Sequence, residues 1–299
     1  ILSNTTQQIP SISVTSPSLI PKTIYQTFMY QELPDLLAQY CNCFQQLNPE
    51  YNYQFYDDTK CRLFIQEHFN QDVLDAYDIL RPGAFKADLW RYCVLYKNGG
   101  VYCDLNLKAN VPLRDLIKSH DEFISVLDQP KIRGCIWNGF IASKPGHPFL
   151  KKAIDNIVLN TKARTNGLDI KWNKVINKKM RTVPLGALSI TGPILLATSI
   201  NQVLSRPVAS QFRQGNQSYN GHSFFLMKLM NNNEIYYNST LAINYNKESL
   251  LAPLISAGCD NYYIHYSLQQ MYHTFPNLLG NLTTNKTELL PIYQTLLKR

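Results

Sequence analysis

The chain has 299 residues, 45% of them hydrophobic and 17% charged, with a net charge of +8. That is an ordinary globular balance, long enough for one large domain or a domain with an appended lobe. The positive charge suits an anionic ligand or membrane surface. It does not imply nucleic acid, because the densest basic run, Lys174 to Arg181, reads as a solvated helix face or loop. No run of 18 apolar residues occurs, so nothing in the chain reads as a membrane span.

Residues 1–19 are rich in Ser, Thr, Gln and Pro and read as a stem or linker. Ile20–Phe28 reads as a strand, Pro34–Leu47 as a helix ended by Asn48-Pro49, and Tyr51–Tyr56 as an alternating strand. Two helices follow, Asp58–Phe69 and Asp72–Leu80, broken by Arg81-Pro82-Gly83. A further helix leads to Gly99-Gly100, and Val101–Cys103 is a short buried strand. Phe123–Leu127 and Cys135–Ala142 read as strands, and His147-Pro148 opens a helix to about Asn160.

Residues 161–185 are polar, basic and loop-like. Gly192-Pro193 opens a helix to about Ser205, and 206–222 reads as a loop. Ser223–Met230, Glu234–Tyr245 and Asn261–Tyr266 are strand-like, and 276–299 form a tail with a helical pattern over Glu288–Lys298. Strands alternating with helices predict an α/β sheet flanked by helices.

Seven cysteines show neither a C-x-x-C pair nor zinc spacing. Cys93 and Cys103 sit in apolar elements. Cys41, Cys43, Cys61, Cys135 and Cys259 leave room for one or two disulfides, with at least one thiol over. The 19 tyrosines fit either carbohydrate contacts or codon bias. Five N-x-S/T sequons, at Asn4, Asn216, Asn238, Asn281 and Asn285, lean toward a secretory lumen.

The most informative stretch runs from Gly83 to Asn106. Asp88, Arg91, Tyr92 and Leu95 follow the i, i+3, i+4, i+7 spacing of one helix face. Their neighbours Phe85, Leu89 and Trp90 predict a largely buried helix. An ion pair there would serve a purpose, since an unpartnered buried charge is costly. Asp104 then emerges at a strand's carboxyl end, where open α/β sheets place ligands. Alone, Asp104 would read as a turn residue.

The run Ala87-Asp88-x-x-Arg91-Tyr92-x-x-Leu95-x-x-x-Gly99-Gly100-x-Tyr102-x-Asp104-x-Asn106 resembles the core motif of the DXD-containing, sugar-binding glycosyltransferases. That group includes yeast-type initiating mannosyltransferases, α-galactosyltransferases and, distantly, glucosylating clostridial toxins. Ile20-Pro21-Lys22, Asn48-Pro49, Trp137-Asn138-Gly139, Thr191-Gly192-Pro193 and Ile264-His265-Tyr266-Ser267 match further family segments in order. The likeness covers residues 20–270 and departs at Asn106, where the family usually has aspartate, and at Phe28, where it has tryptophan.

The resemblance implies a GT-A, Rossmann-like domain over 20–275 and hexose transfer from a UDP- or GDP-sugar to a glycan or glycoprotein, with retention. Asp88, Arg91 and Asp104 would be the catalytic group. Tyr25, Phe28, Asp88, Arg91, Asp104, Asn138, Gly139 and Ser267 would bind the donor. Asp104, Asn106 and His265 would hold Mn²⁺ or Mg²⁺, hard cations that prefer oxygen. Tyr25 and Phe28 are alternatives for stacking on the base and are equally readable as core aromatics. An upstream membrane anchor and a Golgi or secretory lumen follow, with a cytoplasmic bacterial or viral-type enzyme as alternative. Asn106 brings no charge, so a weakened, binding-only homologue is the competing expectation.

Overall fold

The computed structural model describes residues 17–33, 35–80, 83–128, 135–165, 188–230 and 233–245. Outside them lie residues 1–16 of the stem, most of the 161–185 segment, Cys259, the strand read at 261–266, His265, Ser267 and the tail. The elements are β1 (Thr23–Thr27), α1 (Asp35–Leu47), β2 (Asn52–Tyr56), α2 (Asp58–His68), α3 (Gln71–Ile79), α4 (Gly83–Asn98), β3 (Gly100–Cys103) and β4 (Leu107–Ala109). There follow α5 (Leu113–Leu116), β5 (Phe123–Leu127), β6 (Ile136–Ser143), α6 (Pro148–Ala163), α7 (Pro193–Val203), β7 (Gly215–Tyr219), β8 (His222–Leu229), β9 (Glu234–Tyr237) and β10 (Thr240–Tyr245).

The α/β class expected from the sequence is what forms. One mixed sheet runs β2-β1-β3-β6-β5-β8-β9-β10-β4, with β7 paired to β8. β1 lies parallel to both β2 and β3, and β6 turns antiparallel to β3. In that order β3 and β4 are six strand spacings apart, about 29 Å on a flat sheet. Yet only residues 104–106 join them, a span of at most about 14 Å. The sheet therefore curls, and the Asp104-Leu105-Asn106 link ties the edge strand β4 back to β3.

Both faces of the sheet are covered. Tyr102, Ile141 and Phe123 point into a cluster with α2, α3, α4, α6 and α7. Their strand neighbours Val101, Cys103, Phe140, Ala142 and Ile124 point into a second cluster with Phe44 of α1 and Leu113 and Leu116 of α5. Helix α4 is buried on all sides from Asp88 through Leu95. It stops where Gly99 takes φ +66°; a Cβ there would come within 2.7 Å of the Pro21 and Pro145 rings. Asp57 and Asn70 cap α2 and α3 by accepting from the Lys60 and Val73 amides.

Some sequence expectations are corrected. The loop read at 206–222 contains β7, joined to β8 by Asn220-Gly221 with φ of 48° and 77°. Asn-Gly with both φ positive is the strongest short hairpin signal, and polar β7 masked it. The single strand read over 234–245 is a hairpin, β9 and β10, turning at Asn238. β4 and α5 were not anticipated, being too short for a periodic pattern. The described cysteines, Cys41, Cys43, Cys61, Cys93, Cys103 and Cys135, are free thiols.

His147 begins α6, as its place before Pro148 suggested. Its Nδ1 accepts from the Phe149 amide at 3.3 Å, so the neutral ring carries its proton on Nε2. The ring is fully buried. Burial, helped by nearby Lys144 and His222, pushes its pKa down to about 3. The unfolded chain takes up this proton below about pH 6.5 while the folded one does not. Stability should therefore fall as the pH drops from about 6.5 toward 3, by up to about 1.4 kcal/mol per pH unit. Urea unfolding across this range should show a shallower fall for His147→Asn, whose side chain still accepts from the Phe149 amide. Equal slopes would remove His147 as the cause.

Candidate active site

The motif helix and strand meet in a buried polar network. Asp88 of α4 is 0% exposed, and both of its oxygens are engaged. Oδ1 accepts from Asn138 Nδ2 at 2.8 Å and pairs with the Arg91 guanidinium at 3.3 Å. Oδ2 accepts from Thr191 Oγ1 at 2.8 Å. Arg91 donates to the Asn138 carbonyl at 2.8 Å and the Ala87 carbonyl at 3.2 Å, and lies 4.3 Å from the centre of the Tyr102 ring. It also approaches Asp104 Oδ1 at 3.5 Å.

Asp104 is the point where this network reaches water, with its side chain 29% exposed against 5% for Arg91. Tyr102 OH donates to Asp104 Oδ1 at 2.8 Å. The Asp104 amide donates to the Gly139 carbonyl at 2.8 Å. Gln26, buried in β1, donates to the Cys103 and Asp104 carbonyls at 3.3 and 3.4 Å and accepts from Tyr53 OH. A Cβ at Gly139 would lie 2.5 Å from Asp104 Oδ2 and 2.3 Å from the Trp137 ring, so only glycine lets the three meet.

Burial raises the Tyr92 and Tyr102 pKa values well above the ordinary range. Both phenols therefore stay protonated. Tyr92 OH donates to the Thr191 carbonyl at 3.0 Å and accepts from Asn138 Nδ2 at 2.9 Å.

The structure thus gathers Asp88, Arg91, Asp104, Asn138 and Gly139 at one place. Asp88 is enclosed, so here it orders its neighbours; direct contact with a donor hydroxyl, as the resemblance implied, is not what this arrangement offers. Tyr25 is a core residue, 3% exposed, packed near Tyr56 and Trp90. Phe28 is partly exposed and rests on the small cluster holding Leu105, beside the Asp104–Asn106 link. Ser267 and His265 lie outside the described residues. Tyr102, Gln26 and Thr191 are additions. Tyr102 was readable, since residues two apart share a strand face. Thr191 is far from Asp88 in sequence and gave no local signal.

As a test for a cation, Asn106 Oδ1 is buried without a hydrogen-bond partner. Two residues away stands the Asp104 carboxylate. Both are hard oxygen donors, which fits Mg²⁺ or Mn²⁺. The described residues contain no group of three or more His, Cys, Asp or Glu able to hold a metal.

Known proteins carry the same pattern. A family profile described as the glycosyltransferase sugar-binding region containing a DXD motif matches residues 34–124. The match makes this part of the chain similar to that sugar-binding region. This region spans α1 to β5 and holds Asp88, Arg91 and Asp104. The chain is 27% identical over 218 residues to an initiation-specific alpha-1,6-mannosyltransferase of Candida albicans, covering 62% of this chain and 55% of that protein. It is 31% identical over 138 residues to inositol phosphoceramide mannosyltransferase 3 of Schizosaccharomyces pombe, covering 46% and 37%. It therefore spans about half or less of the length of these relatives. Among solved structures, the PaToxG glycosyltransferase matches 64% of this chain and 71% of its own, with TM-score 0.46 and 15% identity.

Thr191→Val should leave Asp88 Oδ2 without its hydroxyl donor. The expected cost is about 1–3 kcal/mol, read as a lower urea midpoint. Thr191→Ser should restore most of it. An unchanged midpoint in the valine variant would show that this bond does not hold Asp88.

Proposed function

We propose that the protein is a glycosyltransferase that moves a hexose from a nucleotide sugar to a glycan or glycoprotein acceptor. The observation that carries this reading is the placement of Asp104. It is a half-open carboxylate at the carboxyl end of β3, within a sugar-binding region and braced by Tyr102 and Arg91. Mannose is the hexose we favour, because the relatives are named mannosyltransferases. Either GDP or UDP could carry it. The working unit is 20–275, with 1–19 as linker and 276–299 as tail.

Transfer requires that the leaving diphosphate be neutralised and the sugar held. Two carboxylates, Asp88 and Asp104, face one guanidinium, leaving an excess negative charge at the exposed end. Asp104 and Asn106 would hold Mn²⁺ or Mg²⁺ there, with His265 as a third candidate ligand. Such a cation supplies charge neutralisation for the diphosphate. Phe28 stands where a base could stack, next to Leu105. Arg91 and the Gly139 backbone hold Asp104 toward the donor, and Asp88 fixes Arg91 and Asn138. Both Asp88 oxygens are occupied, so it is a poor nucleophile. Retention is then served by the leaving phosphate accepting the acceptor's proton.

Asn106 motivates the second reading, a homologue that binds without turnover. Location is proposed as a secretory lumen, with an anchor upstream. Asn216 and Asn238, two of the five sequons, are exposed, which supports this over the cytoplasmic alternative. No described helix is long and apolar enough to cross a membrane.

Thermal shift with GDP, UDP, GDP-mannose and UDP-hexoses, with and without Mn²⁺, tests the proposal. A ligand at 100 times its Kd should stabilise by about 2.7 kcal/mol. Asp104→Ala should lose transfer and the Mn²⁺-dependent part of the shift while staying folded. Full transfer by this variant would sink the assignment of Asp104. Asn106→Asp should tighten Mn²⁺ binding in calorimetry; an unchanged affinity would remove Asn106 from the metal site. Binding without turnover would favour the second reading.

A further inference from the structure

Trp137 occupies a position that the chemistry above does not use. It lies on β6, two residues before Gly139, and its six-membered ring crosses the open side of that glycine. A Cβ on Gly139 would be 2.3 Å from Trp137 Cζ2, 2.6 Å from Cη2 and 2.5 Å from Asp104 Oδ2. The indole edge and the Asp104 carboxylate thus approach one another over a single glycine.

Trp137 is held in place by an irregularity of the sheet. From Ile124↔Ala142 to Val126↔Trp137, β5 advances two positions and β6 five. Ser125 Oγ bridges the break, donating toward the Trp137 carbonyl at 3.1 Å and the Phe140 carbonyl at 3.2 Å. Such bulges re-aim side chains next to sites. Asn138 points into the Asp88 network. Trp137 packs on the opposite core cluster but remains partly exposed, whereas Trp90 is fully buried.

We infer that Trp137 is a sugar-binding platform beside Asp104, its indole receiving the apolar face of a pyranose while Asp104, held by Arg91, meets the polar end of the ligand. The inference rests on the glycosyltransferase reading and adds the residue that senses the sugar. An indole offers a flat apolar surface and a polar edge, which suits a ring with one C–H face and a rim of hydroxyls. The packing of Trp137 on its core cluster still leaves part of a large aromatic open to water beside a carboxylate. That fits a concave site whose apolar wall carries a few convergent polar groups. The pyranose has two sources, the donor's hexose or the acceptor glycan.

The test uses the full chain and acrylamide quenching of tryptophan fluorescence. The probes are GDP, UDP, GDP-mannose, UDP-glucose, UDP-galactose, and methyl α-mannopyranoside added with the nucleotide. A nucleotide sugar should reduce quenching beyond its bare nucleotide, and Trp137→Phe should abolish the difference. By calorimetry, Trp137→Ala should weaken nucleotide-sugar binding about ten-fold and Trp137→Phe less, with bare-nucleotide affinity unchanged. Protection by the nucleotide sugar alone assigns the platform to the donor hexose. Protection by methyl mannoside over bare nucleotide assigns it to the acceptor.

If a nucleotide sugar binds but quenching of the wild type is unaffected by any sugar, the platform is wrong and the transferase reading stands. The wild-type measurement decides this even if a variant misfolds. If no nucleotide or nucleotide sugar binds, the transferase reading fails and the platform fails with it.

Discussion

A guanidinium held away from water between two carboxylates is the constraint on which the rest depends. Arg91 is 5% exposed, and removing one partner from such a buried group typically costs several kcal/mol. The charge is tolerable only because every direction is occupied. Asp88 takes one side, the Asn138 and Ala87 carbonyls accept from it, Tyr102 stacks on it, and Asp104 completes the ring. These partners come from three parts of the chain, α4, the end of β3 and β6, so the fold is pinned where the three meet.

The architecture follows from that requirement. α4 must be buried on all faces to bring Asp88 and Arg91 inward, which is why α2, α3, α6 and α7 surround it and the sheet backs it. The bulge in β6 turns Asn138 toward Asp88 and leaves Gly139 bare, so that Asp104 and Trp137 can close over it. The three-residue link from β3 to β4 forces the sheet to curl. Asp104 is thereby held at the seam, with one end of the charge network open to water.

This arrangement separates two kinds of work. Asp88, Tyr92, Asn138 and Thr191 are buried, neutralise one another's polar groups and set geometry. Asp104, Asn106, Phe28 and Trp137 are partly open to water and are the groups proposed to meet a ligand. The buried orphan oxygen of Asn106 belongs with the second group, since an unpaired polar atom in a native fold calls for a partner.

Much of this was legible in the chain. The 3.6-residue spacing from Asp88 to Leu95, the glycine stop and the acidic strand end are local features, and local rules read them. So were the α/β class and most element positions. Pairing between distant segments was not legible. That Thr191 serves Asp88, that Gln26 holds the Asp104 backbone, that Tyr25 turns inward, and that Asp88 is sealed rather than open all depend on contacts between residues tens of positions apart. Sequence by itself determined which residues carry the charge and where the helix and strand begin and end. Only the tertiary structure decided which of those charges are sealed and which reach water, because burial is set by what packs on a side chain and not by its neighbours in the chain.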